Sequence, residues 1–325
     1  MGEALAASKR TTTVGATGPA SCPACGAPIE NEPSIHGRDR LHHISGEFGV
    51  SVCRDCGSGR TRPHIPTEDL HTLYPSEYNP YALPATRVVR ALATALFRAR
   101  YRRALRTGPL AILRSTAPGR LLDVGSGRGD LGVALRDHGW EVTGLDPSPE
   151  ACAHARARGV NAVEGTLLDG APGGAYDAVV FNHSLEHVVE PLDDLVAARR
   201  LLRTGGVLVV SLPNFGSWQR QRFESSWFHL DLPRHRSHFT VRGLEKLLER
   251  SGYGGIQTMT TTSADGLPMS LQYRVLGRRR FEEGLHLYAY TGATLLVVPV
   301  TATLDRLSGR RDLLHAIAVN AEQHT

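Results

Sequence analysis

The chain has 325 residues, of which 41% are hydrophobic and 21% are charged, and its formal net charge is +5. This length predicts about two globular domains with a sizeable core, and the composition excludes a disordered chain, a collagen and a small disulfide scaffold. Lys9 and Lys246 are the only lysines among the 37 lysines and arginines. The positive charge therefore reflects an arginine-rich composition and does not by itself indicate a nucleic-acid partner.

Two segments bear on whether the chain is exported or inserted into a membrane. Residues 1–20 contain no apolar stretch of the kind found in secretory signals, and we interpret them as a disordered tail. The longest apolar segment, residues 293–304, is interrupted by Pro299 and is shorter than the ~18 residues that a spanning helix requires. We therefore expect a cytoplasmic protein.

Four of the five cysteines form two Cys-x-x-Cys-Gly motifs. They are Cys22, Cys25, Cys53 and Cys56. Two such turns bring four thiolates into the tetrahedron that Zn²⁺ prefers in structural sites, and a closed four-cysteine site leaves no position for catalysis. The alternative is two unrelated or redox-active pairs. We predict a zinc ribbon over residues 21–61 with a structural zinc ion.

The chain after the second cysteine motif divides into a connector and a larger domain. Residues 62–84 contain five prolines and predict a stiff, mostly non-helical linker. Residues 85–325 are predicted to form one domain that begins with an amphipathic helix over 85–106. One stripe of that helix carries arginines, which suit either a solvated face or a contact with phosphates or a membrane surface.

From residue 120 onward, strand and helix patterns alternate. We predict strands over 120–124, 141–145, 162–164, 176–181, 206–212, 256–262 and 313–319, and helices over 130–138, 149–158, 191–202 and 241–251. This alternation predicts an α/β fold with a parallel sheet and helices on both faces. The first excursion (213–238) and the second excursion (264–311) do not fit the alternation, and we interpret both as insertions that cover an acceptor site.

The first two of these strands end in residues suited to a nucleotide-like ligand. Residues 123–129 read Asp-x-Gly-x-Gly-x-Gly, and alternate glycines let the backbone turn sharply beside a helix N-terminus and approach a ligand closely. A dinucleotide fingerprint would require glycine at position 130, which is Asp130 here. Asp146 ends the second strand and can accept hydrogen bonds from a ribose diol, as in nicotinamide and other adenosyl cofactors.

The strand over 176–181 continues into a third distinctive sequence, Asn182-His183-Ser184-Leu185-Glu186-His187. In combination, these strand ends resemble the class I S-adenosylmethionine-dependent methyltransferases, in particular a bacterial branch whose fourth strand runs into a Leu-Glu-His motif. Residues 212–217, 227–239 and the cysteine module with its Tyr- and Pro-rich connector (74–81) are similar to the same branch. The resemblance covers about residues 21–260.

The resemblance implies a Rossmann-like, seven-stranded sheet preceded by a small zinc-ribbon module, and methyl transfer to a sugar, glycan precursor or secondary metabolite. It also implies S-adenosylmethionine as the cofactor. The cofactor-binding residues that it predicts are Asp123, Gly125, Ser126, Gly127, Gly129, Asp146, Pro147, Gly165, Thr166, Leu167 and Asn182. Many relatives carry an aspartate where this chain has Thr166, so the contact with the adenine amino group is not carried over.

Methyl transfer by in-line displacement requires orientation of the reactants and removal of a proton from the acceptor. Histidine suits the proton transfer because its ordinary pKa is close to neutrality. The candidate bases are His183, His187 and His235, followed by His229 and His238. Arg234 could bind a phosphate or carboxylate on the acceptor or, equally, be an ordinary surface arginine.

Several alternatives remain. His183, Glu186 and His187 have i, i+3, i+4 spacing, which would place them on one face of a helix and could bind a divalent cation softer than Mg²⁺. The second excursion could instead form a dimer surface or a peripheral membrane contact. The rival functions are an RNA methyltransferase, which the near balance of charges in 21–61 disfavours, and a non-catalytic adaptor, which the intact glycine pattern disfavours.

Overall fold

The computed structural model of the chain describes residues 21–66, 69, 72–74, 105, 106, 108–170, 173–278 and 285–321. Its strands are β1 (Ile35–Gly37), β2 (Phe48–Val52), β3 (Gly59–Arg62), β4 (Arg120–Val124), β5 (Glu141–Asp146), β6 (Asn161–Glu164), β7 (Tyr176–Asn182), β8 (Leu202–Pro213), β9 (Ser237–His238), β10 (Gly254–Thr261) and β11 (Leu313–Val319). Its α-helices are α1 (Ile112–Ser115), α2 (Asp130–Arg136), α3 (Pro149–Ala157), α4 (Pro191–Leu201), α5 (Trp218–Phe223), α6 (Val241–Arg250), α7 (Gly266–Leu276) and α8 (Leu285–Ser308).

The large sheet has seven strands in the order β10-β11-β8-β7-β4-β5-β6. This arrangement confirms the predicted Rossmann-like α/β fold. The expectation of a uniformly parallel sheet is wrong for β11, which runs antiparallel to both β8 and β10. The start of β11 pairs with the end of β10, Leu313 opposite Thr261. The second excursion therefore leaves and re-enters the sheet at the same edge, which reverses the direction of the last strand.

Both faces of the large sheet are buried, as the nearly continuous apolar sequence of its central strands predicts. Val179 and Phe181 of β7 belong to one hydrophobic cluster, which includes residues of α4 and α6. Ala178 and Val180, which point to the opposite face, belong to a second cluster with Trp140. The sheet is thus a rigid platform whose carboxyl edge positions the loops described below.

The small sheet has four strands in the order β1-β2-β3-β9. Its first three strands come from the predicted zinc ribbon, whereas β9 comes from the first excursion and pairs with β3 through the register Gly59 to His238. The side chains of Phe48, Trp227 and Leu230 share one hydrophobic cluster. The first excursion is therefore part of the small sheet as well as a cover over the large one.

Arg234 occupies the interior of this junction. Its side chain is fully buried and donates hydrogen bonds to both carboxylate oxygens of Asp39, at 2.9 and 2.8 Å, and to Asp231. Asp39 lies in the ribbon, and Asp231 lies in the first excursion. Neither role considered for Arg234, an acceptor contact or an ordinary surface arginine, is correct, because its guanidinium is buried and already paired with two carboxylates.

Several predicted segments lie outside the described residues. They are the tail (1–20), most of the linker (62–84) and nearly all of the helix predicted over 85–106. The second excursion is described in part and includes helices α7 and α8. No helix in the described part of the chain has both the length and the apolar composition needed to cross a membrane.

Candidate active site

Three neighbouring strands of the large sheet bring the predicted site residues together. Strand β4 pairs in parallel with β5 on one side and with β7 on the other. Val124, at the end of β4, lies opposite Leu145 and Phe181. The residues that follow these strands therefore meet at the carboxyl edge of the sheet, which is where open α/β sheets bind ligands.

The glycine turn (residues 125–129) contains three glycines in the left-handed region, with φ of 72°, 51° and 74° in chain order. A Cβ added at Gly125 would lie 2.4 Å from Ser184 Cβ, and one at Gly129 would lie 3.0 Å from Ala155 Cβ. A Cβ at Gly127 would meet nothing within 4 Å. Two of the glycines thus allow close packing, whereas Gly127 borders open space that a ligand can enter.

Asp146 connects the end of β5 to the glycine turn. Its Oδ2 accepts a hydrogen bond from the backbone N–H of Gly127 at 2.8 Å, and its Oδ1 accepts from Ser148 N–H at 2.9 Å. The cap of α3 is supplied by Ser148, which accepts from Ala151 N–H. Each carboxylate oxygen retains acceptor capacity, so Asp146 can hold the turn and also bind a diol.

Asp123, at the base of the turn, is almost completely buried. Burial, followed by the nearby carboxylates of Asp146 and Asp130, raises the pKa of Asp123 to about 7. Its charge therefore changes close to neutral pH. A positively charged ligand in the turn would favour the ionised form.

The loop after β6 contains an acidic residue that the sequence reasoning missed. Thr166 donates its hydroxyl hydrogen to Asp169 Oδ2 at 2.7 Å, and its backbone N–H points to the same oxygen at 3.2 Å. Asp169 N–H in turn faces the Thr166 hydroxyl at 3.3 Å. The Thr-x-x-Asp spacing, typical of reciprocal capping, was the available signal. Leu167 is buried, and Gly165 adopts a φ of 141°.

The segment after β7 is a turn and not a helix, so the prediction that His183, Glu186 and His187 share a helix face is wrong. His183 adopts a left-handed φ of 58°, and its N–H donates to the Ser211 carbonyl at 2.7 Å. This conformation directs the chain back toward the sheet. His183 Nδ1 lies 3.6 Å from the buried Glu186 Oε1.

The first excursion places His235 beside the Leu-Glu-His motif. The Glu186 carbonyl accepts hydrogen bonds from the N–H groups of Arg236 and Ser237, at 2.8 and 3.1 Å. The rings of His187 and His235 meet edge to face with their centroids 4.6 Å apart. The structure therefore brings together the three predicted bases, although their roles stay predictions.

The remaining candidate histidines have other partners. His238 Nε2 lies 2.9 Å from the hydroxyl of Thr61 in the small sheet. His229 Nε2 lies 3.3 Å from the Ser263 hydroxyl and 3.4 Å from Asp312 Oδ2. Both side chains thus hold the first excursion against neighbouring elements.

The site combines a negative carboxylate with neutral imidazole. Although burial opposes ionisation, the side chains of His183, His235 and His187 lower the pKa of Glu186 to about 2. Burial and the proximity of His187 lower the pKa of His235 to about 4. At neutral pH Glu186 is therefore ionised, and His235 is uncharged.

The four cysteines of the two motifs form a thiol cluster whose sulfur atoms all lie within 4.8 Å of one another. Cys22 Sγ and Cys56 Sγ are 3.5 Å apart, and Cys25 Sγ and Cys53 Sγ are 3.6 Å apart. These distances are too long for disulfides. They are close to the edge of roughly 3.8 Å expected for a tetrahedron of sulfurs with Zn–S bonds of about 2.3 Å. The cluster fits zinc.

Comparisons with known proteins identify a methyltransferase domain. Residues 97–258 match the model of a family described as a methyltransferase domain. The chain is 37% identical over 108 residues to the ubiquinone biosynthesis O-methyltransferase of Xanthomonas oryzae pv. oryzae, which covers 30% of this chain and 44% of the relative. It is 37% identical over 116 residues to the trans-aconitate 2-methyltransferase of Mycobacterium sp., covering 34% of this chain and 45% of the relative.

The chain thus spans less than half the length of these curated relatives. Among solved structures, the phosphoethanolamine N-methyltransferase 2 of Haemonchus contortus, in complex with S-adenosyl-L-methionine, is similar with a TM-score of 0.51 and 14% identity. The match covers 87% of this chain and 71% of that one. At this identity the similarity shows a shared fold.

The assignment of the open space at Gly127 to the cofactor can be tested by mutation. Gly127→Ala should weaken S-adenosylmethionine binding by roughly tenfold or more, because the added methyl group would enter the space left for the ligand. Isothermal titration calorimetry measures the affinity. Gly205→Ala is the matched control. Gly205 also has a positive φ, of 75°, and open space around its Cβ position, but it lies near the start of β8, away from the carboxyl edge of the sheet. Equal losses of affinity in the two variants would contradict the placement.

The ionisation of Asp123 should make cofactor affinity depend on pH. Its pKa of about 7 means that it is neutral below this pH and ionised above it. Affinity for the cationic S-adenosylmethionine should therefore rise between pH 6 and 8. The rise should be about tenfold for each unit by which cofactor binding lowers the pKa of Asp123. The rise should be smaller for S-adenosylhomocysteine, which lacks the sulfonium charge, and should disappear in Asp123→Asn. An unchanged rise in that variant would exclude Asp123 as its source.

Proposed function

We propose that the protein is an S-adenosylmethionine-dependent methyltransferase that transfers a methyl group to a small-molecule acceptor. Its residues 97–258 match the methyltransferase domain family. The proposal rests on the position of the glycine turn, Asp146 and His183, which meet at one edge of the sheet. These groups supply a cofactor cradle and a candidate base side by side.

In this proposal the glycine turn holds the methionine part of the cofactor and Asp146 binds the ribose hydroxyls. Asn182 lies at the end of β7 beside the reacting centre. Many relatives have an aspartate at the position of Thr166. In this chain Asp169 would replace that aspartate and accept a hydrogen bond from the adenine amino group. Its exposed carboxylate, hydrogen-bonded to the Thr166 hydroxyl, supports this assignment.

The cofactor, when bound, supplies a methyl group activated by a positively charged sulfur. The protein's own part is to orient the acceptor and to remove its proton. His183 is suited to this because Nδ1 faces the Glu186 carboxylate, which leaves Nε2 for an acceptor hydroxyl. The ionised Glu186 would stabilise the imidazolium that forms, as a buried carboxylate does beside other catalytic histidines.

A small-molecule acceptor is supported by the relatives, which are named for ubiquinone biosynthesis and for trans-aconitate. It is also supported by the arginines of β3. Arg60 and Arg62 are only 4% and 5% exposed, and Arg60 donates to the Glu190 carboxylate. These charges face the protein interior and do not form the exposed basic surface that RNA binding requires.

We also propose that the thiol cluster binds a structural zinc ion. The sulfur spacing supports this, and all four thiols are free of disulfides. A structural zinc ion requires these thiols to stay reduced, so a cytoplasmic location is part of the same proposal.

Methyl transfer can be tested with radiolabelled S-adenosylmethionine and a cell extract divided into small-molecule and RNA fractions. The label should enter the small-molecule fraction. His183→Gln should reduce the rate roughly 10²–10⁴-fold, the contribution typical of a general base, without changing cofactor affinity. His154→Gln is the control, because that histidine lies on an exposed helix face. Label in RNA, or a His183→Gln rate equal to wild type, would contradict the proposal.

Zinc removal should destabilise the small sheet. Cys22→Ser is expected to lose one equivalent of zinc and to lower the melting temperature, because the cluster no longer has four thiolates. Cys152→Ser should keep both, since Cys152 is buried elsewhere, beside the Asp146 and Val163 carbonyls. Metal analysis and thermal melting provide the two readouts. Unchanged zinc content in Cys22→Ser would refute the assignment.

A further inference from the structure

A second group of metal-binding side chains lies at the carboxyl edge of the large sheet, apart from the thiol cluster. This histidine–glutamate cluster consists of Glu186, His187 and His235, and one ligand atom from each lies within 4.8 Å of the others. Glu186 and His235 are buried, and His187 is half-buried. The three residues come from two segments, the turn after β7 and the first excursion.

The Glu186 carboxylate lacks ordinary partners. Its side chain is 2% exposed, and neither oxygen has a hydrogen-bond partner among the residues that the structure describes. The nearest imidazole nitrogens, on His183 and His235, lie 3.6 and 3.9 Å from Oε1. Burying a carboxylate without hydrogen bonds is costly, and such groups are normally paired or coordinate a metal. A cation at this position would remove the cost.

The orientation of His235 fits metal binding. Its Nδ1 lies 2.9 Å from the His229 carbonyl oxygen, which can only accept, so Nδ1 carries the hydrogen. Nε2 therefore holds the free lone pair, and this atom is the one that lies 3.9 Å from Glu186. A metal-binding histidine commonly donates its other ring N–H to a backbone carbonyl in this way.

His187 and the backbone complete the arrangement. His187 Nδ1 lies 3.2 Å from the Tyr74 hydroxyl, an outer contact that can fix the ring. The Glu186 carbonyl accepts two hydrogen bonds from the backbone of Arg236 and Ser237, beside His235. The two segments that provide the ligands are thus joined directly, so the cluster is formed before any ion binds.

We propose that Glu186, His187 and His235 bind a divalent first-row transition-metal ion. Two imidazoles and one carboxylate suit Zn²⁺ and its neighbours better than Mg²⁺, which prefers oxygen ligands. Three protein ligands also leave an open coordination position, as in catalytic zinc sites. This set differs from the one considered from the sequence, because His235 takes the place of His183.

The ion would have a chemical use at this position. An acceptor hydroxyl bound at the open coordination position would have a lowered pKa, and His183 would remove its proton more easily. This use rests on the proposed methyl transfer. The metal binding itself does not, so it can be tested without cofactor or acceptor.

The test is metal binding by the whole 325-residue chain, stripped with a chelator and then titrated with Zn²⁺ or Co²⁺. Wild type should bind two equivalents, one in the thiol cluster and one in the histidine–glutamate cluster. Glu186→Gln and His235→Gln should bind only one with high affinity, with a loss at the second site greater than the roughly 10–100-fold typical of outer-shell changes. The sulfur-to-metal absorption of Co²⁺ in the thiol cluster should persist in both variants.

The matched control is His154→Gln. His154 Nε2 lies 3.7 Å from Glu150 Oε1, so this pair also combines imidazole and carboxylate, but both side chains are exposed. The control should keep two equivalents. Thermal melting verifies folding, and His187→Gln provides a further variant at a half-buried position.

One equivalent in wild type, or two in Glu186→Gln, would overturn the inference. Full metal binding without methyl transfer would instead count against the proposed function alone.

Discussion

The architecture of the site depends on the fully buried Arg234, which forms ion pairs with the buried Asp39 and with the partly exposed Asp231. Asp39 also accepts backbone hydrogen bonds from Leu41, His42 and Ile44, so its carboxylate is fully occupied. The Arg234 guanidinium and these N–H groups hold the pKa of Asp39 below its usual range, against the opposing effect of burial. Removing one partner of such a pair would leave an uncompensated buried charge, at a cost of about 3–5 kcal/mol.

This constraint links the small sheet to the chemistry at the edge of the large one. Arg234 directly precedes His235, and β9 begins two residues later and pairs with β3. The proposed structural zinc lies at the cysteine turns before β1 and β3, on the same small sheet. A metal ion that takes no part in catalysis can therefore still determine where His235 lies, because the strand that follows His235 is hydrogen-bonded to the ribbon.

The electrostatics of the site suit a cationic cofactor and a proton transfer. Asp123 and Asp146 lie beside the glycine turn, and burial raises the pKa of both. Glu186 is ionised and faces three imidazoles. Negative charge near a developing or permanent positive charge, in a site with little water, is the arrangement by which enzymes stabilise transition states most strongly. The proposed second metal would add a positive charge where Glu186 has no hydrogen-bond partner among the described residues.

Local signals in the sequence determined the strands of the large sheet and the helices between them. They also determined the glycine turn and which four cysteines form the thiol cluster. Apolar runs, glycine stops and Cys-x-x-Cys-Gly spacing act over a few residues, and β4 and β11 have the predicted bounds. Only the tertiary structure decided which distant residues meet. Arg234 pairs with Asp39 across 195 positions, His235 lies beside Glu186, and β11 reverses direction. Such contacts arise from long excursions that return to one edge of a sheet, and no local periodicity encodes where an excursion returns.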